Sequence, residues 1–260
     1  MNKFLIACMF VFLNGSVIAA EPLKVTYGLY TGGFNVVDID GIYNIDNDQY
    51  DLNMDLKTTG LLGKLAPWSG EIKSAGHQKD GHIIPSQHSF ANTWRDDTQK
   101  TTFVFGQDGA LKSQTRIDEN GKIATDMPAP EVYEGNPIDM LSALFTVMNQ
   151  NTCAGTVAGF DKKRRFNMIF ESQGPVEMAQ SKYTKFSGNA EICTVEISPV
   201  AGKWRDKPRG WMSIQEQAKD NGQLPRLWFG HVRDDMPPIP VRFQIKTNYG
   251  TMIMHLKSIK

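Results

Sequence analysis

Apolar and polar residues alternate with a period of two over much of this chain, which is the pattern of strands that bury one face and wet the other. In QYDLNMDLK, Tyr50, Leu52, Met54 and Leu56 point one way, and Asp51, Asn53, Asp55 and Lys57 point the other. The preceding run offers Val37, Ile39, Tyr43 and Ile45 with the same period. A turn through Asp46-Asn47-Asp48-Gln49 makes the apolar faces coincide, pairing Ile45 with Tyr50, Tyr43 with Leu52 and Ile39 with Leu56. A one-residue slip would turn every one of these side chains to the wrong face, so the pattern also specifies the register. PVRFQIKTNYGTMIMHLK near the C-terminus repeats the construction. A loop over Thr247-Asn248-Tyr249-Gly250 sets Ile245 against Met252, Phe243 against Met254 and Val241 against Leu256, with Arg242, Lys246 and His255 on the wet side.

Turn dipeptides punctuate the chain between these hairpins at Asp80-Gly81, Asp108-Gly109, Asn120-Gly121 and Gly188-Asn189. The expected fold is mainly β, a single antiparallel meander curled into a barrel-like or half-barrel sheet, because curling hides the edges of a long sheet. One helix interrupts it at about 137–149: Asn136 suits the N-cap, Pro137 the first helical position and Asp139 the first turn, and Ile138, Leu141, Phe145 and Met148 share a face. A second, shorter helix is expected at about 211–220, stopped by Gly222. The stretch 118–135 has little periodicity and reads as a loop.

CAGTVAGFDKKRRFNMIF, from Cys153, reads as another hairpin. Thr152–Phe160 forms one strand, Asp161–Lys163 the turn and Arg165–Phe170 the return, with Phe166, Met168 and Phe170 on the apolar side. The four cations Lys162, Lys163, Arg164 and Arg165 then fall at the tip, where a charge run is ordinarily solvated. The functional alternative for them is contact with an anionic lipid surface.

The first twenty residues set the compartment. Lys3, the apolar run Phe4–Phe12 and the small residues of VIAA form a secretory signal peptide, cleaved after Ala19 or Ala20. Leu5-Ile6-Ala7-Cys8 as a lipoprotein box leaves too few apolar residues ahead of the cysteine. No later run is long enough to span a bilayer, so residues 21–260 are expected to be a soluble, periplasmic single β-rich domain. Of three cysteines Cys8 leaves with the leader; Cys153 and Cys193 remain, and an even pair in an oxidising compartment is most simply a disulfide. In AEICTVEI, Cys193 is in step with Val195 and Ile197, so such a bond lies largely inside.

Charge balances at 28 basic against 28 acidic residues, which points to neither nucleic acid nor strongly acidic substrates as partners. His77, His82 and His88 match no familiar metal-ligand spacing, although a turn at Lys79-Asp80-Gly81 would set His77 and His82 across a hairpin. His231 and His255 are isolated, structural or surface residues. The acidic comb DIDGIYNIDND lacks the EF-hand order, and the hairpin register sets Asp40 across from Asp55, a like-charge pair that Lys57 could relieve. GxSxG, P-loop and GxGxxG patterns are absent, so no catalytic residue, no metal and no cofactor is assigned.

YDLNMDLKTTGLLGKL, GNPIDMLSALF, Cys153 with AGFDKKRRFNMIF, AEICTVEI and PVRFQIKTNYGTMIMHL, in that order, resemble exported bacterial proteins catalogued as domain of unknown function 3108. The resemblance implies a periplasmic β-rich domain and the Cys153–Cys193 pairing, and it brings no activity, cofactor or catalytic residue. Where such proteins show Asp-Gly, this chain has Asp161-Lys162, so Lys162 either takes a positive φ or the turn is of another type. Three functional readings follow. The first is a non-catalytic envelope protein whose concave apolar face takes an apolar or amphipathic ligand, such as envelope lipid, or an envelope protein partner. The second is a periplasmic hydrolase built from residues that the fold gathers. The third is a scaffold that acts through the KKRR tip or the DDMPPIP segment.

Overall fold

The computed structural model describes residues 21–46, 48–150, 152–204, 211–248 and 250–260; the expected leader lies outside them. The first half supplies β1 (Leu23–Thr31), β2 (Phe34–Asp46), β3 (Gln49–Thr58), the short helix α1 (Gly60–Leu65), β4 (Trp68–Lys79), β5 (His82–Trp94), β6 (Asp97–Phe105), β7 (Leu111–Ile117) and β8 (Ile123–Asp126). Two helices follow, α2 (Pro130–Tyr133) and α3 (Met140–Asn149). The second half supplies β9 (Gly155–Asp161), β10 (Arg164–Met178), β11 (Gly188–Gly202), α4 (Trp211–Asp220), β12 (Arg226–Gly230), β13 (Ile239–Thr247) and β14 (Gly250–Ile259).

All strands join one 14-stranded antiparallel sheet in the order β8-β7-β6-β5-β4-β3-β2-β1-β14-β13-β12-β11-β10-β9. Every strand lies beside its sequence neighbours except β8 and β9. The meander therefore closes its two chain ends on each other through β1 and β14 and stays open between β8 and β9. Strand parity shows how that seam is covered. Phe166 shares the inner face with Met168 and Phe170, so Phe160, opposite Arg165, lies on the outer face of β9. Phe103 lies on the inner face of β6, opposite His88, which is opposite Ser74 and in turn Leu52. The two rings nevertheless meet at 5.2 Å, and Phe105, Val132 and Tyr133 complete the cluster. The β6 side thus laps over the outside of the β9 edge, with α2 in the joint.

Both terminal hairpins adopt the registers their patterns predict. Ile45 faces Tyr50, Tyr43 faces Leu52 and Ile39 faces Leu56. Ile245 faces Met252 and Phe243 faces Met254. Asp40 does face Asp55, but Lys57 is not its partner: Asp40 accepts from Thr26 Oγ1 at 2.9 Å, and Asp55 accepts from Asn53. The Asp80-Gly81 turn is primed, with φ of 51° and 78°, the twist that suits a two-residue hairpin loop. It sets His82 opposite Lys79 and His77 opposite Ile84, so these histidines do not face each other. Gly188-Asn189 opens β11 rather than forming a turn.

Helix α3 begins three residues later than its sequence predicts. Ile138 is extended because its N–H donates to Ala158 and its carbonyl accepts from Phe160, so it adds to the free edge of β9. Asn136 has φ of 52°, unlike the β-region conformation of an N-cap, and Asp139 is the cap, accepting from the N–H groups of Leu141 and Ser142 at 3.0 Å each. The stretch 118–135 is not all loop, since β8 and α2 lie within it: local periodicity is weak because these elements pair at an edge and fill a joint. α4 spans the predicted 211–220. Its buried Gln215 accepts from Ile197 N–H at 2.7 Å and donates to Ile197 C=O at 3.0 Å, taking up β11 backbone that β12 does not reach.

Candidate functional site

Exposure along the inner face changes with depth. The deepest row, Leu23, Tyr43, Leu52, Ser74, His88 and Phe103, is buried across six adjacent strands. Helix α3 closes that end: Leu141, Ala143, Phe145, Val147 and Met148 belong to the same core, and the Phe145 ring lies 4.7 Å from Tyr50. Four residues along the strands the cover runs out. Tyr27 is still buried, but Ile39 and Leu56 in its row are only half-buried, and so are Leu29, Met254 and Phe243 in the next. Ile72 and Met252 are half-buried as well. α4 forms one wall here, with Trp211 packed against Phe243 at 5.9 Å and Met212 beside it on the core.

The floor of this open half is a hydroxyl pair. Tyr27 and Tyr43 approach within 3.0 Å, and burial pushes both phenols up, Tyr43 to about 12. Neither carries charge at neutral pH. Among the described residues the inner face is therefore mainly aliphatic and Met-rich, fully buried at one end and partly exposed at the other. Thioether and aliphatic side chains adapt to apolar ligands of irregular shape.

A Ser–His–Asp group lies at the filled end, and its geometry is that of an anchor. Asp139 is fully buried; besides the two N–H groups, Ser74 Oγ donates to its Oδ1 and Ser142 Oγ to its Oδ2, each at 2.6 Å. Tyr50 meets Ser142 Oγ at 2.7 Å, and burial together with the Asp139 charge raises its phenol pKa. His88 Nδ1 lies 2.8 Å from Ser74 Oγ, 3.1 Å from the Lys73 carbonyl and 3.3 Å from Asp139. A nucleophile relay uses one ring nitrogen for the acid and the other for the serine. Here Nδ1 faces the serine, the Lys73 carbonyl and the acid alike, and Ser74 Oγ donates its hydrogen bond to the carboxylate and not to the imidazole, so the relay through His88 is not formed. The cluster binds the helix N-terminus to β4 and β5. The sequence shows His88 only as one of three histidines and Asp139 only in the first turn of a helix, and it singles out no role for Ser74, because separations of 14 and 65 residues carry no local signal.

The four tip cations are mostly committed within the molecule. Lys162 lies over the Phe90 ring at 4.5 Å, and burial lowers its pKa. Arg164 pairs with Asp161 and covers Trp204 at 4.9 Å; Arg165 donates to the Glu134 carbonyl and, at 3.1 Å, to its carboxylate. Lys163 is exposed. The turn at Lys162 has no positive φ; Lys163 N–H donates to Asp161 Oδ1 at 3.0 Å instead, so the turn is of another type than Asp-Gly would make. Cys153 and Cys193 are both buried, with their sulfurs in bonding contact and Cα atoms 5.6 Å apart, within the span of a disulfide. Among the described residues no group of three or more His, Cys, Asp or Glu side chains is arranged to hold a metal ion, and no helix is long and apolar enough to cross a membrane.

Fold and site together define a β-barrel-like protein: a coiled antiparallel sheet, open at its seam, with an apolar inner face that is buried at one end and partly exposed at the other. The chain belongs to the family described as Protein of unknown function (DUF3108), whose model matches residues 24–257. No curated protein matches it. Among solved structures it is similar to a β-barrel-like protein of domain of unknown function DUF1849 from Brucella abortus, at 12% identity and a TM-score of 0.46, over 92% of this chain and 97% of that one.

Proposed function

We propose that this is an exported, periplasmic protein of the cell envelope, a single domain once residues 1–20 are removed, that takes up an apolar or amphipathic ligand in the open half of its inner face without chemically changing it. The observation that carries the reading is the break in burial along that face. Ile39, Leu56, Met254 and Phe243 point inward in register with fully buried neighbours and yet stay partly exposed. An inward apolar surface that the described residues leave partly exposed is a place for another molecule to cover it. The filled end supplies the rigid floor, held by α3 and its buried cap. The Ser74 geometry, which lacks the imidazole relay, weighs against the hydrolase reading, and the scaffold reading has three of its four tip cations engaged by internal partners.

The test is native mass spectrometry and tryptophan fluorescence of the mature protein with phosphatidylglycerol and with a long-chain fatty acid. One bound molecule and a blue shift at Trp211 are expected. Leu56→Gln should weaken binding about tenfold, the loss of roughly one buried aliphatic contact. Absence of any adduct with either probe, together with unchanged fluorescence, overturns the reading.

A further inference from the structure

A second site lies on the opposite, outer face of the sheet, where β13, β14 and β1 meet. Arg242 and His255 are cross-strand partners there, and His255 is in turn opposite Gly28. Among the described residues no carboxylate pairs with Arg242. Its Nη2 donates to Gln244 Oε1 at 2.7 Å, its guanidinium lies over Trp228 at 4.7 Å, and its Nε–H is buried with no hydrogen-bond partner. His255 Nδ1 is buried and unpartnered in the same way, and so is Asn35 Oδ1 on the strand across Gly28. Tyr183 stacks on the His255 ring at 5.7 Å, and Tyr30 meets it edge-on at 5.9 Å. The other charges nearby are Lys257, which pairs with Asp38 at 2.8 Å, Lys182 over Tyr183, and Arg226, opposite Gln244 on β12, whose Nε is likewise buried and without a hydrogen-bond partner. The patch is therefore net positive.

Buried polar groups in folded proteins are almost always paired, so two unpaired nitrogens on adjacent strands, one of them a half-buried guanidinium, call for an acceptor from outside the chain. We propose that this is an anion site that receives a phosphate group between Arg242 Nε–H and His255 Nδ1–H, with Tyr30 and Tyr183 flanking it. Tyr183 belongs to the 179–187 connection between β10 and β11, which is tied to β14 through Lys185 N–H on the Leu256 carbonyl, and a phosphate enters by displacing its ring from the His255 ring. Burial, and then the Arg242 charge, lower the His255 pKa, so its imidazole stays neutral and donates from a single nitrogen. A phosphate that faces Arg242 fixes that proton on Nδ1. The site does not depend on the ligand proposed for the inner face, since the sheet separates the two.

The experiment follows the His255 ring signals by NMR in histidine-labelled mature protein during titration with inorganic phosphate at constant ionic strength, with chloride as control. The signals should move saturably with phosphate and not with chloride. Arg242→Gln should raise the dissociation constant about tenfold or more, while Lys246→Gln, on the same strand but outside the patch, leaves it unchanged. If Arg242→Gln does not fold, Arg242→Lys keeps the charge, removes Nε–H and should weaken binding in the same direction. Sedimentation with phosphatidylglycerol but not phosphatidylcholine vesicles, reversed by inorganic phosphate, assigns the group to a lipid headgroup. Phosphate binding without sedimentation assigns it to a soluble phosphate. Immobile His255 signals, or the same movement in the Arg242 variants as in the parent, overturn the proposal.

Discussion

Replacing Asp139 by alanine probes how helix α3 is held against the sheet. The carboxylate accepts four hydrogen bonds in a place sealed from water. Loss of the cap on the Leu141 and Ser142 N–H groups costs about 1 kcal/mol. Ser74 Oγ and Ser142 Oγ each lose an acceptor, but Ser74 retains His88 at 2.8 Å and Ser142 retains Tyr50 at 2.7 Å, so each contributes about 1 kcal/mol, near the low end for a buried donor. Relief of the buried charge argues for the same low end. The sum is about 3 kcal/mol, which in a chain of this size lowers the melting temperature by about 6–12 °C. Asparagine still caps the helix with its one oxygen and should cost about half as much. Urea unfolding of the two variants, followed by circular dichroism, measures both values. An alanine variant within about 1 kcal/mol of the parent would falsify the view that this carboxylate organises the filled end.

Three further outcomes are expected. Replacing Cys153 and Cys193 together by alanine opens a loop of sequence separation 40 and should destabilise the protein by about 4 kcal/mol in the chain-entropy model; two freely reactive thiols in the untreated mature protein would refute the pairing. His255 has a folded pKa below its unfolded value near 6.5, so the unfolded chain binds more protons in that range: its contribution is complete above about pH 6.5 and is lost as pH falls toward the folded value. His255→Gln should flatten the stability profile between about pH 5 and 7, and an unchanged slope would count against the buried neutral ring. At Gly76, which sits at the β4–β5 bulge, an added Cβ would run into the Ile84 carbonyl and lie 2.8 Å from Pro85 Cα, both backbone. Gly76→Ala should therefore cost about 2 kcal/mol or more in thermal melts, and a neutral result would show that the bulge yields.

The alternation of apolar and polar residues was enough to determine that the chain forms antiparallel hairpins, and in which register. Alternation excludes every odd slip of Ile39 and Tyr43 against Leu52 and Leu56, the turn after Asp46 selects among the even ones, and the structure adopts that register. The Asp-Gly turn at residue 81, the extent of α4 and the apolar side of Phe166, Met168 and Phe170 were legible for the same reason, since each depends on residues close in sequence. Tertiary contacts decided the rest. Helix α3 starts at Met140 because Ile138 is recruited as backbone by β9, a strand some twenty residues on, and no local capping preference contains that fact. The basic tip looked solvated until the lap of the sheet brought Phe90 and Glu134 to meet it and the end of β11 laid Trp204 under Arg164. The change of exposure along the inner face is likewise invisible in one dimension. Ile39 and Tyr43 have the same pattern along β2, yet Tyr43 is buried and Ile39 partly exposed, because burial depends on what the rest of the chain brings over a face and not on the face alone.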